Sequence, residues 1–249
     1  MKNASRLTLS LIATLSVFGV NAAYQAESFY VGASINAVKY DTDKLEKSFQ
    51  QINDFASTYG ASFSAETDNT DAGYKLTAGY QINDYLAVEL GYLDAGQLAV
   101  DTSFQHSVTY LGATYSESTI SNMSLDVTGI SASIVGNYAF TERVHGFAKL
   151  GLLSWDADDV LQATSQYNFD GSESAENYSD SSTVNGNDVT LSFGLSYGFS
   201  EFTLYGEYEV LSLSNDEKEE LEEDDILDDE SDGNNLNLSS INLGLRYTF

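Results

Sequence analysis

The stretch Val189-Thr190-Leu191-Ser192-Phe193-Gly194-Leu195-Ser196-Tyr197-Gly198-Phe199 alternates without a break between large apolar residues and small or polar ones. Successive Cβ atoms of a β-strand point to opposite sides of the pleat, so a period of two predicts a strand with one greasy and one wet face. Ser200-Glu201 follows, and Phe202–Leu211 then resumes the pattern, with Leu204, Tyr208 and Val210 opposite Thr203, Tyr205, Glu207 and Glu209. Two alternating runs joined by two polar residues predict a tight antiparallel hairpin.

Working outward, the same texture recurs six more times. Ser28–Tyr40 comes first, with Phe29, Val31, Ala33 and Ile35 on one face. Ala72–Ile82 and Leu86–Tyr92 flank the turn at Asn83-Asp84, and Leu125–Phe140 and Val144–Trp155 flank Thr141-Glu142. Ser239–Phe249 ends the chain, with Ile241, Leu243, Leu245, Tyr247 and Phe249 on one face. The eight predicted strands are joined by three tight turns and by four long connections, at 41–71, 94–124, 156–188 and 212–238. Strict alternation of short and long connections belongs to a barrel with turns on one side of a membrane and loops on the other. Strands of about ten residues are what a tilted membrane-crossing strand requires. The predicted fold is therefore all-β: an eight-stranded antiparallel up-and-down transmembrane β-barrel with long extracellular loops, built from residues 23–249.

Composition agrees with this. The 249 residues include no proline, which suits a chain of paired strands, and no cysteine, so no disulfide staples it. Tyrosine and phenylalanine number 17 and 13 against one tryptophan, and tyrosine suits the edges of a membrane slab. The formal net charge of -28 repels nucleic acid and excludes it as a partner. Residues 1–22 read as a secretory signal peptide: Lys2 and Arg6, then the apolar run Leu7 to Val20, then Val20-Asn21-Ala22 for cleavage. Beyond it no stretch reaches the roughly 18 apolar residues of a membrane helix.

In a soluble β-protein the apolar face points inward, whereas here the polar faces are expected to point in and the apolar ones to face lipid. The polar faces carry Lys75, Glu89, Lys149, Glu207, Glu209 and Arg246. Lys149 on the lipid side would cost about 2–4 kcal/mol at mid-membrane, which places it inside although Phe147 and Leu153 share its face. Unpaired ions in a dry interior are costly, so these side chains are expected to form one network of opposite charges, structural or gating in role. Tyr80, Tyr92, Tyr138, Tyr197, Phe199, Phe202, Tyr247 and Phe249 lie near strand ends on the apolar faces, as interfacial girdles do.

Gly79-Tyr80-Gln81-Ile82-Asn83-Asp84-Tyr85-Leu86-Ala87-Val88-Glu89-Leu90-Gly91-Tyr92 resembles the second-to-third-strand hairpin of OmpA-like eight-stranded outer-membrane barrels. Lys149-Leu150-Gly151 is similar to their fifth strand, and Leu243-Gly244-Leu245-Arg246-Tyr247-Thr248-Phe249 to their terminal strand. The resemblance covers residues 28–249 in strand order. It implies a Gram-negative outer-membrane location, contact with outer-membrane lipid and lipopolysaccharide, and interior charges at Glu89, Lys149, Glu207 and Arg246. It also implies recognition of Tyr247 and Phe249 by the barrel-assembly machinery. Because the resemblance stops at the last strand, no periplasmic peptidoglycan-binding domain is expected, and the barrel is expected to be a monomer.

The connections add three expectations. Leu45, Phe49, Ile52 and Phe55 form a helical stripe over Asp43–Gly60, with Asp43 as cap and Glu46 three residues on. Leu98–Phe104 and Val108–Tyr115 keep partial alternation, so the third and fourth strands are expected to project as a hairpin. Asp216–Asp232 holds twelve acidic residues and one lysine without calcium-loop spacing, a solvated segment or a loose site for divalent cations. Only His106 and His145 are present, one expected in a loop and the other at the short-turn end, so no catalytic, cofactor or metal residues are expected. The functions left open are a non-catalytic surface and envelope protein, a narrow gated pore or small-solute transporter, and a soluble ligand-binding barrel.

Overall fold

The computed structural model describes residues 27–214 and 235–249, so the proposed signal peptide and the acidic run 216–232 lie outside the described residues. The described elements are β1 (Ser28–Tyr40), α1 (Asp43–Thr58), β2 (Ala61–Asp68), β3 (Thr70–Asn83), β4 (Leu86–Tyr110), β5 (Ala113–Ala139), β6 (Val144–Phe169), β7 (Ser172–Phe199), β8 (Phe202–Ser214) and β9 (Asn235–Thr248). The sheet runs β2-β4-β3-β1-β9-β8-β7-β6-β5, and β5 pairs back onto β4. Eight strands thus form a closed antiparallel ring, closure removes every edge inside the membrane, and β2 stands outside it as a ninth strand. Among the described residues no helix is long and apolar enough to cross a membrane.

The facing follows the period of two. Along β7, Val189, Leu191, Phe193, Leu195 and Tyr197 point outward and are exposed, whereas Thr190, Ser192 and Ser196 are buried in the lumen. The outward belt is greasy because its solvent is hydrocarbon, and no wet side chain offsets the loss of water there.

Two of the four long connections continue their hairpins as paired strands. The β4–β5 ladder continues to Tyr110↔Ala113 and the β6–β7 ladder to Phe169↔Ser172. Only the first of these projections was legible from alternation, because Ser, Thr and Asn fill both faces of the second. Above Asp94, β4 loses β3 as a neighbour and takes β2 instead, from Asp68↔Ala99 to Ala61↔His106. The result is a five-stranded crown, β2-β4-β5-β6-β7, standing on one side of the barrel mouth.

A bulge joins the two parts of β4. The register against β5 shifts between Asp94 and Gln97, and Gly96 sits there with φ +71. The amides freed by the bulge are capped: Gly96 N donates to Asp94 Oδ1 at 3.0 Å and Gln97 N to Asp71 Oδ2 at 2.8 Å. The extra residue inverts the parity, so Leu93 and Ala95 below it and Leu98 and Val100 above it all point inward.

The helix is present at Asp43–Thr58, but its N-cap is Thr42, and Asp43 is the first helical residue. Thr42 Oγ1 donates to Glu46 Oε1 at 3.0 Å, which accounts for the Glu four residues beyond the cap. The Phe49 ring lies 5.9 Å from that of Phe63, so α1 rests on β2, while Ile52 and Phe55 of the same stripe remain exposed.

Candidate functional site

The six charged side chains singled out in the sequence come from five strands and meet in the lumen: Lys75 on β3, Glu89 on β4, Lys149 on β6, Glu207 and Glu209 on β8, and Arg246 on β9. Lys149 Nζ lies 2.7 Å from Glu89 Oε1 and 2.8 Å from Glu207 Oε2. Lys75 Nζ lies 2.8 Å from Glu209 Oε1 and 3.7 Å from Glu207 Oε1, and Arg246 lies 3.4 Å from Glu89 Oε2. Three cations face three carboxylates, so the layer carries no net charge. This balance matters because an uncompensated ion in a dry interior costs several kcal/mol. Tyr30 Oη donates to Glu89 Oε2 at 3.1 Å, and its ring lies 4.1 Å from the Arg246 guanidinium.

Apolar layers close this charged one from both ends. Toward the short turns lie Ala87, Val135, Phe147 and Tyr205, with Tyr30 beside them. Toward the crown, Val38, Tyr40, Leu93, Leu98, Val127, Leu153, Trp155, Leu211, Leu213 and Leu238 form one buried cluster. A lumen polar throughout its height is therefore not what this chain builds. The signal was present in the sequence: Phe147 and Leu153 share the face of Lys149, and they do so because each belongs to one of the two layers. Trp155 is fixed by its indole Nε1, which donates to Asp188 Oδ2 at 2.7 Å, and Ser214 N donates to the same oxygen at 2.9 Å.

The outward aromatics gather at strand ends: the Tyr247 ring lies 5.2 Å from Phe202 and 5.1 Å from Phe249. Phe249 N donates to Phe29 O at 2.9 Å, so the last residue is tied to the first strand. A soluble ligand-binding barrel requires the opposite facing, an apolar cavity within and a polar wall without, and the exposed belt of leucine, phenylalanine and isoleucine rules it out.

The crown is built on different chemistry. Hydroxyl pairs bridge its strands, Thr102–Ser121 at 2.5 Å, Thr119–Ser165 at 2.8 Å and Thr109–Thr114 at 3.0 Å. A concavity of about 820 Å3 crosses all five strands at the row Ala61, His106, Glu117, Tyr167 and Ser174. Its tips expose Val108, Tyr110, Leu111 and Phe169, and Tyr178 is exposed further down β7, opposite Ala163. The nearby Asp180 carboxylate raises the Tyr178 hydroxyl above its ordinary pKa. His106 lies within the crown part of β4 and not in a loop, whereas His145 is buried at the short-turn end of β6. Among the described residues no three His, Cys, Asp or Glu side chains are grouped to hold a metal ion.

The family model described as the OmpA-like transmembrane domain matches residues 24–249. Outer membrane protein A of Klebsiella pneumoniae is 26% identical over 144 residues, which span 57% of this chain and 34% of that relative, about a third of its length. Among solved structures, Ail, the attachment invasion locus protein of Yersinia pestis, is similar with TM-score 0.39 at 13% identity, over 90% of this chain and 100% of that one. Neisserial surface protein A is similar with TM-score 0.39 at 15% identity, over 89% of this chain and 97% of that one.

Proposed function

The chain belongs to the family of OmpA-like transmembrane domains and lies in the bacterial outer membrane, and from that premise we propose a non-catalytic barrel with a closed lumen that works through its extracellular crown. The observation that carries this reading is the filling of the lumen. Apolar clusters pack above and below a charged layer that is neutral as a whole, with buried Gln81, Asn137 and His145 beside the lower one, so side chains fill the lumen and an ion entering from the crown side meets hydrocarbon before any partner. The charged layer serves as a rivet that fixes strand register and not as a gate. The crown offers the opposite: a large water-facing sheet with apolar tips, held clear of the membrane on two long hairpins.

In this reading the outward belt contacts outer-membrane lipid and lipopolysaccharide, the barrel is a monomer, and Tyr247 and Phe249 are the signal read by the barrel-assembly machinery. Two measurements test it. Planar-bilayer recordings of the folded protein are expected to give no stable conductance steps, and steps abolished by Glu89→Ala or Lys149→Ala would restore the pore. Replacing residues 98–124 and 158–185 by short turns is expected to abolish binding to host or neighbouring cells while the barrel still folds. Binding that survives the replacement would sink the crown as the working surface.

A further inference from the structure

The crown has two edges, and they are finished differently. The β2 edge is short, and α1 rests against that strand through Phe49 and Phe63. The β7 edge is long and, among the described residues, bare. β7 pairs with β8 only from Thr190 to Phe199, while Ser214 is held against Asp188 by hydrogen bonds of 2.5 and 2.9 Å. Above that point Ser172–Asn185 has β6 on one side and, among the described residues, no strand on the other. At roughly 3.3 Å per residue this is about 45 Å of open ladder, with alternate residues turning both N–H and C=O outward. Open edges of this length invite strand addition.

The side chains say what would be added. Ser172–Asn185 carries Glu173, Glu176 and Asp180 and no basic residue. Asp158 and Asp159 lie directly across from Thr183 and Ser182 on β6. A second copy of the same edge would set carboxylate against carboxylate, which disfavours self-pairing. Glu176, Tyr178 and Asp180 are spaced by two and so share one face, and Tyr178 is 56% exposed. An acid–aromatic–acid row on one face complements a strand with lysine or arginine at every second position, whose stems can lie along the tyrosine ring.

We propose that Ser172–Asn185 of β7 captures an extended polypeptide with alternating basic residues, by adding it as a sixth strand to the crown and reading it with Glu176, Tyr178 and Asp180. This rests on the crown being the working surface.

The test uses the whole chain folded in lipid nanodiscs and a short peptide of alternating lysine and threonine as probe, with fluorescence anisotropy and residue-resolved amide exchange as readouts. The peptide is expected to bind, to slow exchange along Ser172–Asn185, and to lose about tenfold in affinity with Glu176→Gln plus Asp180→Asn. A version N-methylated at alternate residues, equal in charge but stripped of donors, is expected not to bind. Equal binding of that version reduces the contact to charge adsorption and overturns the proposal, as does protection mapped elsewhere or no binding at all. Binding that appears only after deletion of residues 216–232 assigns the edge to that segment and also overturns it. If crown replacement abolishes cell binding while the edge variant leaves it intact, the edge proposal alone fails. If crown replacement leaves cell binding intact, the parent reading fails.

Discussion

One hairpin passes through two solvents. β6 and β7 pair without a register shift from Val144↔Tyr197 to Phe169↔Ser172, so the backbone ladder is the same along its whole length. Below Trp155↔Gly186 the outward positions are Leu150, Leu152, Leu191 and Phe193, and the inward ones Lys149, Gly151, Thr190 and Ser192. Above it both faces are serine, threonine, asparagine and aspartate with scattered aromatics, and every β7 residue from Ser172 to Thr183 is exposed. Hydrogen bonding therefore does not tell the two halves apart. Side-chain content follows whether hydrocarbon or water lies outside, and whether a lumen lies inside.

The contrast predicts where damage is severe. Glu89→Ala leaves Lys149 with Glu207 alone, takes a carboxylate from Arg246 and sets three buried cations against two carboxylates, which should destabilise the barrel by about 3–5 kcal/mol, read from urea unfolding in detergent. A loss below ~1 kcal/mol would mean that the charged layer is hydrated and not the rivet proposed. Leu211→Ala empties part of the upper apolar layer and should cost about 2–5 kcal/mol by the same measurement. Gly96→Val forces a β-branched residue into positive φ at the bulge and should cost about 1–3 kcal/mol. It should also turn Leu98 and Val100 outward, detectable by cysteine labelling at position 98. Thr119→Ala in the crown removes one hydroxyl pair facing water and should change stability by less than about 1 kcal/mol. A larger loss there would break the distinction between the two halves.

The smallest effect concerns the short turns. The Ser200 hydroxyl donates to Glu201 Oε2 at 2.7 Å and holds that carboxyl below its ordinary pKa. Its folded pKa is depressed, so the contribution is present above the usual carboxylate range and fades as pH falls through the lowered value. Glu201 is partly exposed at the turn and screened by solvent, so Ser200→Ala should change only the acid end of a pH-unfolding curve, and only slightly.

Strands that cross the membrane were legible because one residue in two had to be greasy, and that periodicity needs no partner to be seen. Residues 156–188 were read as a loop because both of their faces meet water, which leaves the strand without a hydrophobic signature. The helix was legible from Leu45, Phe49, Ile52 and Phe55, but its cap was misplaced by one residue because Asp43 and Thr42 are both good capping types. The convergence of Lys75, Glu89, Lys149, Glu207, Glu209 and Arg246 followed from facing alone. The apolar layers around them did not, since Leu153, Leu211 and Leu213 look like breaks in a polar face until they are seen across the lumen from one another.

An eight-stranded membrane barrel and the facing of its side chains could be read from the chain without any contact being known, because period-two alternation and connection length are local properties. Assembly in three dimensions added that apolar clusters flank the charged layer, that Gly96 inverts β4, and that, among the described residues, one edge of β7 has no strand beside it in the crown. Each of these depends on which residues of distant strands stand opposite one another, and closure of the ring sets that register where no single strand can.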